Sequence, residues 1–354
     1  MARRALLVGI NDYKKIGDLR GCLNDVSNMR NILKTYLGFG NSDIRVLTES
    51  RATRENIIHR LKWLVRATKP GDFMVFHFSG HGSQIRDRNG DELEDGMDEL
   101  ICPWDHDWDG CFILDDDLDD IFSGLPENSL LEVFLDCCHS GDGIRTMPRS
   151  ADHTPRDTSK SRYLEPPQDI RFRHEGEEED LKVRGFRSGN RSGGRSTKHH
   201  ILWSGCRSDQ TSADAEIDGT VNGAFTYYLC KHMRKTGGHI SRRNLIERVR
   251  NSLRHNAYPQ IPQLACGNKA DYENNPLQLP VPEERERQLF LTTPYMRGDD
   301  VKSVQRALVK KEFKTSVDGV FGPQTQHAVR QFQNQNQLVV DGVVGKTVRA
   351  ALFS

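Results

Sequence analysis

The sequence predicts an α/β fold with a mostly parallel central sheet flanked by helices, followed by a small all-α domain of three helices. Three observations lead there. The segments DFMVFHFSGHG (72–82) and LLEVFLDCCHSGDG (130–143) carry near-continuous apolar runs, Phe73 to Phe76 and Leu130 to Leu135. Strands buried on both faces need such runs, and these belong to parallel sheets. Strand and helix signals alternate up to about residue 145, as crossover connections require. Beyond Met296 the pattern turns helical and contains an internal echo, VDGVFGPQTQHAV at 317–329 and VDGVVGKTVRAAL at 340–352.

Taken in order, ALLVGI opens the first strand, and Asp25 to Tyr36 places Val26, Met29, Ile32, Leu33 and Tyr36 at helical spacing. A short strand at Ile44–Leu47 precedes a helix from Arg54 to Arg66 with Ile57, Ile58, Leu61, Leu64 and Val65 on one face. The two apolar strands follow. Residues 145–198 are then rich in Arg, Glu, Ser, Asp and Gly, a composition that cannot bury enough apolar surface to order itself and predicts a flexible linker. Order resumes at HHILWSGC (199–206), followed by helices at Ala224–Lys235 and Ser241–His255 and a strand-like IPQLACG. The boundaries expected are therefore 1–144, a linker at 145–198, 199–280, a linker at 281–296, and 297–354. In the last part, Val301–Lys310, Pro323–Gln333 and Lys346–Leu352 read as three helices around Val304, Leu308, Val329 and Phe332, each repeat beginning at an Asp-Gly turn.

Lys plus Arg and Asp plus Glu both number 50, so charge balance argues for neither a nucleic-acid nor a membrane partner. No run approaches the roughly 18 apolar residues of a membrane span, and the opening MARRALLVGINDY reads as a strand rather than a cleavable signal, which predicts a cytoplasmic protein. Eight cysteines without CxxC pairs or regular spacing point to free thiols in a reducing compartment.

The chemistry lies at the two strand ends. His81 stands between Gly80 and Gly82, and Cys137 and Cys138 end the second strand. Parallel sheets collect catalytic groups at the carboxyl ends of their strands, so His81 and Cys138 can meet despite their separation in sequence. A free thiol must become a thiolate, and a histidine can take its proton and later protonate a leaving amine. Alternation along the strand favours Cys138 over Cys137 as the nucleophile. His139 is a poor base for it because adjacent side chains on an extended segment diverge. The amides of Gly82 and Cys138 are candidate oxyanion donors.

These residues, SGHGSQ, DGMDE and DCCHSG, together with GINDY, GCLNDV and ILWSGCRSDQTSAD, resemble type I metacaspases, calcium-dependent cysteine peptidases of caspase fold that cut after Arg or Lys. The resemblance covers residues 4–280. It implies a caspase-like sandwich with large-subunit-like and small-subunit-like halves, His81 as general base, Cys138 as nucleophile, a specificity pocket lined by Asp25 and Asp136, and a monomer. Paired buried carboxylates suit a guanidinium or ammonium. Read alone, Asp25 is a helix N-cap. Self-cleavage follows from the same resemblance, with Arg149, Arg173, Arg187, Arg191 and Arg195 as linker targets.

Between His81 and Cys138 the chain is strongly acidic, with DRNGDELEDGMDE at 87–99 and ILDDDLDD at 113–120. Carboxylates without His or Cys favour calcium. An EF-hand is excluded because Glu92 stands where that loop needs glycine. The resemblance makes Asp95, Asp98, Asp116 and Asp117 the calcium candidates, against a solvated-loop role for each. Asp142 comes early and Arg145 follows it, a departure from the family pattern. The C-terminal region, with RGDDVKSVQRAL, VDGVFGPQT and AVRQFQ, resembles a three-helix peptidoglycan-binding domain and implies binding rather than catalysis. The expected function is thus an Arg/Lys-directed cysteine endopeptidase, probed against a cell-wall hydrolase aimed by the C-terminal region and a binding scaffold with an inactive peptidase fold.

Overall fold

The computed structural model describes residues 2–86, 97–126, 128–138, 159–172, 200–207, 210–266 and 288–353. Contacts divide the chain into two units, residues 1–30 with 41–277 and residues 31–40 with 278–354.

In the first unit, β1 (Arg3–Gly9), β2 (Ile44–Thr48), β3 (Phe73–Ser79), β7 (Leu130–Asp136), β9 (His200–Ser204) and β12 (Gln263–Cys266) form one sheet in the order β12-β9-β7-β3-β1-β2. Every pairing is parallel except β12 with β9, which is antiparallel. Every residue of β3 is buried, and so are all of β7 after Leu130, which is why these strands read as near-continuous apolar runs. Helices α1 (Cys22–Tyr36), α2 (Arg54–Val65), α3 (Asp115–Phe122), α4 (Ala224–Lys235) and α5 (Arg242–His255) complete the alternation. Thr53 and Ser241 cap α2 and α5 by accepting the amides of Asn56 and Asn244. A buried ion pair ties β7 to α5, with Arg242 Nε 2.7 Å from Glu132 Oε1, while Trp203 of β9 donates its indole N–H to the other carboxylate oxygen at 2.6 Å. Two small antiparallel sheets lie apart from the main one. One joins β4 (Gly82–Arg86), β5 (Met97–Ile101) and β6 (Ile113–Leu114), the other β8 (Lys160–Ser161), β10 (Ala213–Ile217) and β11 (Thr220–Gly223).

Two sequence expectations fail here. Helix α1 begins at Cys22, so Asp25 lies inside it and is fully buried rather than capping its start. The predicted flexible linker contains an ordered stretch at 159–172, where Lys160 and Ser161 pair with β10 and Arg162 and Ile170 are buried.

The second unit holds α6 (Asp299–Lys310), α7 (Pro323–Gln335) and α8 (Lys346–Phe353), with β13 (Met296–Arg297) paired to β14 (Val320–Phe321). Val301, Val304, Leu308, Phe321, Val329, Phe332, Val348 and Leu352 form its core. The repeat in the sequence has a physical basis. Gln305 Nε2 donates to Asp318 Oδ1 and the Val320 carbonyl while its Oε1 accepts the Gly319 amide; Gln333 treats Asp341, Val343 and Gly342 in the same way. Gly319 and Gly342 have φ of 77° and 74°, a left-handed conformation that favours glycine. Each buried glutamine thus closes one Asp-Gly turn with three hydrogen bonds. Among the described residues no helix is long and apolar enough to cross a membrane.

Candidate active site

Neighbouring parallel strands bring the chemistry to one sheet end. Ser79, the last residue of β3, lies opposite Asp136, the last of β7, so His81 and Cys138 each follow two residues beyond a paired position. The His81 Nε2 atom lies 2.8 Å from the Gly17 carbonyl. A carbonyl can only accept, so Nε2 carries the proton and Nδ1 presents its lone pair. That Nδ1 is buried and has no hydrogen-bond partner. Tyr13 fixes the backbone, its hydroxyl accepting the His81 amide at 2.8 Å. Burial pushes the imidazole below its ordinary value, toward the neutral ring, against the opposing pull of the Gly17 carbonyl. The Cys138 sulfur is turned to the backbone of Ser212, accepting its amide and lying 3.4 Å from its carbonyl oxygen. Among the described residues no hydrogen bond joins Cys138 to His81.

Beside them sits a pocket of three carboxylates around one guanidinium. Arg162, from the predicted linker, is fully buried. Its Nη2 lies 2.8 Å from Asp25 Oδ2 and 3.0 Å from Asp214 Oδ1; its Nη1 lies 3.2 Å from Asp136 Oδ1 and donates to Ser79 Oγ at 2.9 Å and to the Asp136 carbonyl at 2.8 Å. Each carboxylate is held from outside as well. The Gly223 amide and the Ser79 hydroxyl donate to Asp25, Ser212 Oγ and the Thr226 amide to Asp136, and the amides of Arg20 and Gly21 to Asp214. Burial raises Asp25 to about 7 despite the lowering pull of Arg162, with Asp136 pushing the same way as burial. The pocket exists because residue 223 has no side chain. A Cβ there would collide with Asp136 Oδ2 and come 2.5 Å from Arg162 Nη1 and 2.7 Å from Asp25 Oδ2.

The backbone of Arg162 is gripped too. Its carbonyl accepts the Gly82 amide at 3.0 Å and its amide donates to the Ser212 carbonyl at 3.1 Å. Lys160 and Ser161 pair antiparallel with Asp214 and Ala213 of β10. A segment of the chain thus lies across the site as an added strand, with an arginine side chain in an acidic pocket and the arginine carbonyl on the Gly82 amide.

Sequence comparison decides the family. The metacaspase, peptidase C14 domain matches residues 3–147. Metacaspase-1 of Schizosaccharomyces pombe is 32% identical over 297 residues, covering 76% of this chain and 68% of the relative. Metacaspase-1 of Ajellomyces capsulatus is 35% identical over 297 residues, covering 75% and 80%. The chain belongs to the metacaspase family. This metacaspase is accordingly a cysteine-type endopeptidase of caspase-like α/β fold. A solved protein from Geobacter sulfurreducens, 24% identical, superposes with a TM-score of 0.55 over 79% of this chain and 99% of its own, a likeness of fold. A peptidoglycan binding domain matches residues 297–352, in the second unit.

Sequence reasoning missed Arg162, Asp214, Ser79 and Gly223. The one local signal for the first was the small apolar cluster around it, Tyr163, Leu164, Pro166 and Ile170, within an otherwise charged stretch. The five arginines expected as linker targets, Arg149, Arg173, Arg187, Arg191 and Arg195, lie outside the described residues, and so does Asp95. The other calcium candidates lie on β5 and at the start of α3, the element that follows β6, the antiparallel partner of β5. Asp98 is buried on β5, whereas Asp116 and Asp117 open α3, and Asp117 accepts the Leu114 amide and faces Arg54 at 3.4 Å. Among the described residues no group of three or more His, Cys, Asp or Glu is placed to hold a metal ion.

Proposed function

We propose that this metacaspase cuts polypeptides after arginine or lysine with Cys138 as nucleophile and His81 as base, and that its first substrate is its own Arg162–Tyr163 bond. The observation that carries this reading is the fully buried Arg162, its guanidinium among Asp25, Asp136 and Asp214 and its carbonyl on the Gly82 amide. A cation bound by charge-assisted hydrogen bonds in a site with surplus negative charge selects Arg or Lys and repels acidic side chains.

In the proposed reaction the Cys138 sulfur turns from Ser212 toward His81. With Nε2 held by Gly17, Nδ1 of His81 takes the proton from the Cys138 thiol, and the sulfur attacks the arginine carbonyl carbon. The Gly82 amide, with the Cys138 amide as the second proposed donor, receives the oxyanion, each such donor contributing roughly 10²–10³ in rate. Collapse breaks the peptide bond as His81 returns its proton to the leaving nitrogen. Water activated by the same imidazole then hydrolyses the thioester, restoring the thiol and releasing the new carboxyl group.

Until Arg162 leaves, the pocket is closed to other arginines, so the intact chain is latent. The second unit, by its domain match, would hold the peptidase to peptidoglycan. Calcium enters as an expectation of the family, with no step assigned to it. One experiment tests these points together: purified chain incubated with Arg-, Lys- and Asp-site peptides and with peptidoglycan, with and without calcium. Cleavage of the basic-site peptides alone, lost in Cys138→Ala, is the expected result. Cleavage of peptidoglycan only, or basic-site cleavage that survives Cys138→Ala, would overturn the reading. A calcium-dependent rate would direct the search for its ligands to the acidic segment at 87–96, outside the described residues.

A further inference from the structure

The segment that crosses the site does not end at Arg162. Beyond it the Leu164 amide donates to the Gly82 carbonyl at 2.9 Å, and the buried Ser83 hydroxyl donates to the Leu164 carbonyl at 2.6 Å. Tyr163 forms a parallel bridge with Gly82, so the chain after the arginine runs along the edge of β4. The Leu164 side chain packs on the main apolar core of the first unit, which includes Ile85, Leu100 and Ile101. Position 164 is thus held by two hydrogen bonds of its backbone and an apolar floor.

We infer that the site contains a second specificity subsite, on the leaving-group side of the cut, which takes a large aliphatic residue two positions after the arginine. This inference rests on the reading that Arg162–Tyr163 is the scissile bond. Gly82 then serves both halves of a substrate, its amide at the arginine carbonyl and its carbonyl at the residue two further on. A chain seated at both points is held taut across the bond to be broken, and binding energy from Leu164 contributes to orienting the arginine carbonyl. After the cut, the strip beginning at Tyr163 has lost its anchor in the acidic pocket, so an incoming polypeptide exchanges with it along the same edge.

The test uses the full-length self-processed protein and hexapeptides copying residues 160–165, with the fifth position leucine, alanine or aspartate. Leucine is expected to give a kcat/KM roughly ten-fold above alanine, the scale of a few methylene groups in an apolar subsite, with aspartate lower still. In parallel, Leu164→Asp in the full chain should slow self-cleavage while Glu165→Ala does not. Equal hydrolysis of the three peptides overturns the inference and leaves the arginine reading standing. Failure to cut any of them, when a peptide with another residue in place of arginine is cut, overturns the arginine reading itself. If Leu164→Asp fails to fold, the peptide comparison on the unaltered chain still decides.

Discussion

Arg162→Gln is expected to abolish cutting at the 162–163 bond and to yield a chain that hydrolyses arginine peptides without the lag of the parent protein. A tethered segment competes at an effective concentration of about 1 mM, so against peptide at tens of micromolar the parent's initial rate should lie on the order of 10²-fold below that of the variant. The substitution carries a stability cost, because it leaves Asp25, Asp136 and Asp214 facing one another without their guanidinium. Removing one partner of a buried charge cluster costs about 3–5 kcal/mol. The sign of the pH dependence follows from Asp25, raised to about 7 in the fold. A carboxyl whose folded value lies above its unfolded one lends stability that is full below the unfolded value, about 4, and lost as pH rises through the folded one. Arg162 lowers Asp25, so the variant raises it further and extends that loss to higher pH. Thermal unfolding should therefore show a larger deficit against the parent at pH 8 than at pH 6. A variant as stable as the parent at pH 8 that still shows the lag would remove the account of the pocket.

Asp136→Asn should lower kcat/KM for arginine peptides by roughly 10²–10³, within the 2–5 kcal/mol typical of breaking a buried, hydrogen-bonded charge pair. The shape is preserved, and because Oδ1 accepts from Ser212 and Oδ2 from the Thr226 amide, the single amide oxygen keeps one of these two hydrogen bonds. What disappears is the charge 3.2 Å from the arginine Nη1. Because residue 136 lies two positions before the nucleophile, alkylation of Cys138 by iodoacetamide should be followed alongside. Unchanged alkylation with lost arginine cleavage assigns the effect to substrate recognition. Arginine cleavage at parental rate in Asp136→Asn would exclude this carboxylate from the pocket. Asp25→Asn should matter less below pH 7, where Asp25 already carries a proton for much of the time.

How much of this was legible in the chain differs by residue. The order of strands and helices could be read directly, since β3 and β7 are buried on both faces and leave near-continuous apolar runs. The position of His81 and Cys138 at one end of the sheet was legible because each follows such a run. Read without the family resemblance, Asp25 looked like a cap because capping patterns are local, whereas its amide donor comes from Gly223, 198 positions away. Arg162 was illegible for the same reason. Its three carboxylates come from α1, the end of β7 and β10, and nothing in a charged, loop-like stretch announces that one arginine among many will be taken out of water. Composition correctly describes what a segment can bury by itself. It is silent on what distant side chains can bury for it.

The order of strands in the main sheet fixes what a nick between residues 162 and 163 leaves behind. Strand β7 precedes the nick and β9 follows it, yet they are hydrogen-bonded neighbours, joined further by the Glu132 carboxylate to Trp203 and Arg242. The two fragments therefore remain a single particle, eluting from a sizing column at the mass of the intact chain and parting only in denaturant. A cut at this bond would change covalent connectivity without dissociation, visible on a denaturing gel and silent in hydrodynamic size.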